Sequence, residues 1–192
     1  NAVTGPFFEP RPSEEFYDNF KDFHNIDNQI DDPLHQTKIK ELKKELRRQQ
    51  LKYFDSGLMP EEMRNRIIKE KNTTVYAFVR DPKLYPLAQY LDYSDLALTR
   101  KKKNLKTFIK GLADEDPVKR YWSVIGLLLL EKQAKSAISE LKKVLGDRDE
   151  IPAFAAWAIY KAGGKTFAEK WMLEAITQNP GNKTLANIFD WM

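Results

Sequence analysis

The sequence contains no cysteine and no long apolar run, and each absence excludes particular structures. Without cysteine, the 192 residues form no disulfide, thiolate metal site or cysteine nucleophile, although the redox compartment stays open. A membrane-spanning helix needs about 18 to 20 successive apolar residues, whereas the longest apolar stretch, residues 124–130, predicts a buried helix. The chain starts at Asn1 without Met or a signal peptide. We therefore expect its first residues to be a processing remnant that carries no targeting information.

Charge is distributed unevenly along the chain. The formal net charge is +4, and 42% of residues are hydrophobic, enough for one ordinary domain or two small ones. Residues 1–33 hold 2 basic and 8 acidic groups, residues 34–110 hold 19 and 9, and residues 111–192 hold 11 and 11. The middle segment therefore carries the basic excess, and an anionic partner would bind there.

The first segment, residues 1–57, predicts a lead-in, a short strand and a long helix. Three prolines and a glycine make residues 3–12 extended. Residues 15–20 are compatible with an edge strand, which in isolation would be disordered or would pair opportunistically. Asp32 suits an N-cap and Pro33 the first helical position, and we expect Ser56-Gly57 to end the helix. A narrow apolar stripe follows a spacing of three and four: Ile39, Leu42, Leu46, Gln50 and Tyr53.

The second segment, residues 58–104, predicts linker helices. Pro60 begins a helix that buries Met63 and Ile67. Alternating residues at 75–79 indicate a short strand. After two X-Pro breaks, residues 87–98 predict another helix.

The third segment, residues 105–192, is repetitive. A helix, an acidic turn and a second helix recur with an offset of 33 residues, which relates Asp114 to Asp147 and Val118 to Ile151. The same offset relates Trp122 to Ala155 and Ile125 to Ala158, which we expect to face inward. A third, degenerate copy starts near Thr166. The pattern resembles HEAT-type helical repeats and predicts an all-α chain, with the long helix followed by a short α-solenoid.

Four groups of residues are candidates for chemistry, and a structural role is favoured for each. His24 and His35 lack the third ligand or H-E-x-x-H spacing of a zinc site. The acidic cluster lacks the glycine and terminal Glu of a calcium loop, so capping explains it better; it consists of Asp22, Asp27, Asp31 and Asp32. We therefore predict no catalytic, cofactor-binding or metal-binding residue in this chain.

The other two groups are a basic run and four tryptophans. The basic run, residues 100–103 with Lys106 and Lys110, has no interleaved aromatics. A solvated helix face is therefore favoured over nucleic-acid binding. Helical spacing makes Trp122, Trp157 and Trp171 core anchors, and Trp191 is expected to be partly exposed.

The run RPSEEFYDNFKDFHNIDNQIDDP, residues 11–33, resembles the C-terminal tail of the sulfatase family, whose pattern is E-E-L-Y-D-L…D-P-x-E-x-x-N-L-A-x-D-P. The matching residues are Glu14, Glu15, Tyr17, Asp18, Asp22, Ile26, Asn28, Asp31, Asp32 and Pro33. The departures are Phe23 for Pro, Asn25 for Glu and Gln29 for Leu. Residues 117–127 resemble the D-P-x-V-R-Y-W-A-A-x-G-L run of a bacterial sulfatase subgroup with HEAT repeats, and residues 79–86 fit its linker.

The resemblance implies the non-catalytic C-terminal region of a type I sulfatase. Such enzymes use a formylglycine made from C/S-x-P-x-R and a Ca²⁺ ion, and both are expected in a missing N-terminal catalytic domain because the motif is absent here. The implied partners are that domain and a sulfated glycan or a protein, in a periplasmic or secreted setting. A fragment dimer is a further expectation, and this chain alone should be inactive.

Two other functions stay open at this point. The first is a stand-alone HEAT-type protein-interaction module with no enzymatic parent. The second, less favoured, is a nucleic-acid binder that uses the basic middle segment. A sulfatase motif upstream in the gene would separate the first interpretation from both alternatives.

Overall fold

The computed structural model describes residues 12–191, and every regular element in that range is a helix. The all-α prediction is therefore confirmed at this level. The α-helices are α1 Gln36–Tyr53, α2 Glu61–Glu70, α3 Val75–Phe78, α4 Leu87–Leu98, α5 Leu105–Gly111, α6 Pro117–Leu130, α7 Ile138–Lys143, α8 Ile151–Lys161, α9 Lys165–Gln178 and α10 Lys183–Trp191. Short 3₁₀ turns cover Pro33–His35, Lys102–Asn104, Glu131–Ala137 and Val144–Gly146.

The predicted lead-in lies outside the described residues, except for Pro12. No helix within the described range is both long and apolar enough to cross a membrane.

Contacts between residues divide the chain into two compact units, Asn1–Tyr53 and Phe54–Met192. The division coincides with the end of α1.

In the first unit, residues 15–20 form no strand, contrary to the expectation from sequence. The side-chain amide of Asn28 occupies the position of a strand partner: its Oδ1 accepts the Phe16 N–H at 2.9 Å, and its Nδ2 donates to the Glu14 carbonyl at 3.3 Å. The Gln29 N–H donates to the Phe16 carbonyl at 2.8 Å. Because a loop satisfies these backbone groups, the segment needs no sheet.

The start of the long helix is confirmed, and its predicted end is wrong. Asp32 Oδ1 accepts the Leu34 N–H at 2.8 Å and caps the turn Pro33–His35, which leads into α1. The helix ends at Tyr53, because Phe54 adopts a left-handed φ of 57°. A backbone in that region cannot continue a right-handed helix. Phe54 packs against the core of the second unit.

The second unit is built around α6 and α8. Helix α6 packs against α4, α5 and α8, while α8 packs against α6, α7, α9 and α10. Gly126 permits the close approach of α5 and α6, since a Cβ there would lie 2.7 Å from the Phe108 ring. Ala155 and Ala158 are fully buried, as the repeat predicts, but the equivalent Trp122 and Ile125 are only partly buried.

The linker helices follow the sequence prediction except at residues 75–79. Helix α2 begins after Pro60 and buries Met63, and α4 has the predicted bounds. Residues 75–78 are helical instead of extended, because Thr74 caps them by accepting the Ala77 N–H at 3.2 Å. Phe78 is then buried, with its ring 5.5 Å from that of Tyr85.

Candidate functional site

The acidic residues of the tail form turns. Asp22 Oδ2 accepts the N–H groups of Ile26 and Asp27 at 2.6 and 2.8 Å. Asp18 accepts the Phe20 N–H at 3.1 Å. These bonds are the turn role that sequence favoured over metal binding. No cluster of three metal-ligating side chains occurs within residues 12–191.

The two histidines lie in separate aromatic pairs. The partly buried His35 ring lies 5.2 Å from the Phe16 ring, and the exposed His24 ring lies 5.3 Å from that of Phe23. His35 therefore helps to hold residue 16 against the start of the long helix. This packing is the structural role that their spacing indicated.

The first unit exposes large apolar side chains from both its loop and its helix. In the loop, Phe20 is fully exposed and Phe23 is 83% exposed. Along α1, Ile39 is buried, whereas Leu42 and Leu46 are 50% and 59% exposed. Leu34 at the start of the helix is 87% exposed. We call these five exposed residues, which exclude Ile39, the apolar face of the tail. Large exposed apolar side chains make this unit a candidate for an interaction site.

The basic run begins after α4 and extends into α5. Its side chains are exposed at residues 100–103, Lys106 and Lys110. Buried Asn104 shapes the turn, since its Nδ2 donates to the Leu96 carbonyl at 3.2 Å and to Thr99 Oγ1 at 2.9 Å. The side chains of residues 100–103 therefore project from this turn into solvent, and those of Lys106 and Lys110 project from α5.

The three described tryptophan side chains are partly buried. Trp122 packs against the main core and donates its Nε1–H to the Leu58 carbonyl at 2.7 Å. Trp157 packs 6.3 Å from Phe154, and Trp171 packs in the C-terminal cluster. All three side chains therefore pack against a hydrophobic core without being fully buried. The side chain of Trp191 lies outside the described part of the chain.

A feature that sequence reasoning missed is the pairing of the acidic turns with arginines. Arg120 on α6 donates to both oxygens of Asp147, at 2.6 and 3.0 Å, and its Nη1 donates to the Asp114 carbonyl at 2.9 Å. One side chain thus links the acidic turns of two successive repeats. The available signal was Arg120 itself, placed between two acidic turns that repeat after 33 residues.

The second acidic turn is held by a further ion pair. Arg66 on α2 contacts Asp149 through Nε and Nη2, at 2.8 to 3.1 Å. Burial acts to raise the pKa of Asp147, but hydrogen bonds from Arg120 and the Arg148 amide outweigh it and hold that pKa below its usual value. The turn is therefore a fixed, charged structure at physiological pH.

Comparison with protein-family models, curated proteins and solved structures finds no significant match to this chain.

Proposed function

We propose that this chain is the non-catalytic C-terminal region of a sulfatase-type hydrolase of sulfate esters. In this proposal the first unit completes a small subdomain of the enzyme. The helical repeats of the second unit form a HEAT-like solenoid that presents a surface to substrate or partner. The observation that carries the proposal is the apolar face of the tail.

The apolar face consists of five large side chains, each at least half exposed. Phe20, Phe23 and Leu34 are each more than four-fifths exposed. Burying one such side chain contributes about 1.5 to 3 kcal/mol. In the proposed enzyme, the tail packs against a preceding catalytic domain and this face is buried. Such packing would explain why the first unit carries large apolar side chains that are exposed here.

The residues that carry the sulfatase resemblance also carry the structure of the tail. Asp22, Asn28 and Asp32 each accept backbone N–H groups through their side chains. Substitution of any one would leave those donors without their partner. Because this chain has the same residues as the sulfatase tail pattern at these positions, we infer that its tail has the same local structure as that family. The departures at residues 23, 25 and 29 do not affect these hydrogen bonds.

This chain does not fit the formylglycine and Ca²⁺ site that the proposal implies. C/S-x-P-x-R is absent from the sequence, and within residues 12–191 no side-chain cluster suits a metal. We therefore place both in the upstream catalytic domain and derive no catalytic step from this chain.

The link between the acidic turns supports a stacked, HEAT-like arrangement of repeats. Arg120 bonds to the carbonyl groups of residues 114 and 115 in one turn and to the carboxylate of Asp147 in the next. Such a link fixes the spacing of successive repeats. In repeat proteins, stacking of neighbours supplies the continuous core.

The test is a chromogenic aryl sulfate assay on the parent protein and on this chain, each produced with Ca²⁺ and the maturation machinery. We expect hydrolysis by the parent alone, with C/S-x-P-x-R upstream in its gene. A parent gene without that motif would refute the proposal and favour a stand-alone interaction module.

A pair of variants tests the role of the apolar face. Leu46→Asp should lower the folded yield of the parent and leave the melting temperature of this isolated chain unchanged, because Leu46 is 59% exposed here. Leu173→Asp is the matched control, since Leu173 is 57% exposed on α9. Equal behaviour of the two variants in the parent would show that the face is not a domain interface.

A further inference from the structure

A cavity of about 340 Å³ lies within the second unit, between α6, α8 and the turn before α2. Its volume is in the range of small-molecule sites, about 300 to 1,000 Å³. The lining includes three aromatic residues and one carboxylate, namely Tyr121, Trp122, Phe154 and Glu150. Tyr121 and Phe154 occupy equivalent repeat positions, 33 residues apart. The cavity therefore lies where successive repeats meet.

The aromatic rings meet at steep angles. The Tyr121 ring stands at 76° to Trp122 and at 85° to Phe154, with centroids 5.7 and 5.6 Å apart. The indole N–H of Trp122 donates to the Leu58 carbonyl at 2.7 Å, which fixes the orientation of that ring. The rings therefore contact one another edge to face, and all three border the cavity.

Glu150 supplies the only formal charge among the residues that line the cavity. It is 8% exposed, and its Oε2 has no hydrogen-bond partner. It precedes α8 at the N-cap position, but its side chain does not cap the helix. A buried carboxylate oxygen without a partner is costly, so native proteins pair such atoms or bind an ion there.

The charges around Glu150 do not neutralise it. Burial raises its pKa, and the carboxylates of Glu62 and Asp149 raise it further, whereas the backbone N–H groups of Glu150 and Glu62 act to lower it and are outweighed. Asp149 is already paired with Arg66. Burial, with a contribution from Glu150, also raises the pKa of Tyr121 to about 12, so that the phenol stays neutral at physiological pH. An anionic ligand would be repelled by this surrounding, whereas a cation would be attracted.

We propose that this aromatic–carboxylate cavity binds an organic ammonium group, with the cation against the ring faces and its charge offset by Glu150. Recognition of quaternary ammonium by aromatic faces is well established physically. The source is either a free amine of the choline type or a methylated lysine side chain of a protein. The proposal does not rest on a sulfatase parent, because the cavity belongs wholly to residues 54–192.

The test is calorimetric titration of the full chain at pH 8 with choline and with its neutral isostere 3,3-dimethyl-1-butanol. The two ligands have nearly the same shape, so charge alone separates them. We expect choline to bind at least about tenfold more tightly, a difference of about 1.4 kcal/mol. Equal affinities, or no saturable binding of any ammonium ligand tested, would overturn the proposal.

Variants locate the binding. Glu150→Gln keeps the shape of the side chain and removes its charge, so choline affinity should fall at least about tenfold, or about 1.4 kcal/mol. Phe154→Leu tests the aromatic wall with less risk to folding than Ala, and circular dichroism checks both variants. Glu131→Gln is the control, since Glu131 is an exposed carboxylate at the end of α6. A Glu150→Gln variant that binds like the native chain would refute the assignment.

Two further titrations distinguish the source of the ammonium group. A short peptide with trimethyllysine is compared with the same peptide carrying unmodified lysine. Tighter binding of the trimethylated peptide than of choline indicates a protein ligand, and the reverse order indicates a free amine; both support the site. Competition by glucose 6-sulfate at the same site would contradict it, since that ligand is anionic.

Discussion

Removal of the Arg120 side chain tests whether successive repeats are joined by charge as well as by packing. Arg120 and Asp147 form a bidentate pair, with side chains only 20% and 14% exposed. Arg120 also donates to the carbonyl groups of Asp114 and Glu115, at 2.9 and 3.1 Å. We therefore compare Arg120→Met, which keeps the length of the aliphatic stem, with Asp147→Asn, which keeps the shape of the acceptor.

The size of the effect follows from burial and from the number of bonds lost. Hydrogen bonds to charged groups each contribute about 1.5 to 3 kcal/mol, and removing one member of a buried pair costs about 3 to 5 kcal/mol. Since Arg120 and Asp147 retain some exposure, we expect Arg120→Met to lower the free energy of unfolding by about 3 kcal/mol. Asp147→Asn should cost about 2 kcal/mol, because one oxygen still accepts a bond.

The pH dependence has a definite sign. Although burial opposes it, the bonds from Arg120 hold the pKa of Asp147 below its usual value. A carboxyl with a lowered pKa contributes stability above its unfolded pKa, about 3.9, and that stability is lost as pH falls through the folded value. The difference between native and Asp147→Asn chains should therefore be full at pH 7 and shrink at pH below 4.

The assay is urea unfolding followed by circular dichroism at 222 nm, with a double-mutant cycle. Lys143→Met is the control, since Lys143 and Glu140 form an exposed pair with side chains 70% and 38% accessible. Its effect should lie within about 0.5 kcal/mol. A coupling energy between Arg120 and Asp147 near zero, or an Arg120→Met effect no larger than the control, would refute the reasoning.

Three other predictions follow from single positions. Glu150→Gln should raise the melting temperature at pH 7 but not at pH 4. The reason is that a carboxyl group whose pKa is raised in the folded state destabilises the fold only at pH values above its pKa in the unfolded chain. Equal shifts in calorimetric scans at the two pH values would contradict this. Gly126→Ala should cost about 1 to 3 kcal/mol in urea unfolding through overlap with Phe108, whereas Gly146→Ala, with open space around it, is the control that should not. Asp32→Ala should remove the side-chain acceptor of the Leu34 N–H and lower the free energy of unfolding by about 1 kcal/mol. Hydrogen exchange of the amides at the start of α1 should then be faster, and unchanged exchange would count against the capping role.

Local signals predicted most of the helices because their causes are local. Asp32 and Pro33 begin the long helix by capping and by a fixed φ, which needs no distant contact. Pro60 and Pro86 likewise precede α2 and α4. The repeat offset predicted α6 and α8 to within one residue, since they begin at positions 117 and 151, which are 34 residues apart against a period of 33.

Local signals failed where two of them competed. Residues 75–79 alternate as a strand does, but Thr74 caps a helical turn and tertiary packing buries Phe78. Residues 15–20 had no strand partner in the sequence, and the amide of Asn28 took that place. Ser56-Gly57 was predicted to end the long helix. The helix ends earlier because Phe54 adopts a left-handed φ and packs against the core of the second unit.

The sequence by itself determined the helical class, the helix starts and the repeat period, because capping, proline geometry and hydrophobic spacing act within a few residues. Only the tertiary structure decided which charges meet and which carboxylate is buried without a partner. Asp147 is bound by Arg120, 27 residues earlier, while Glu150, three residues later, borders a cavity lined by aromatic residues and has one oxygen unpaired. Two acidic residues of one turn differ in this way because burial and partner distance are set by packing between helices, and no local pattern encodes them.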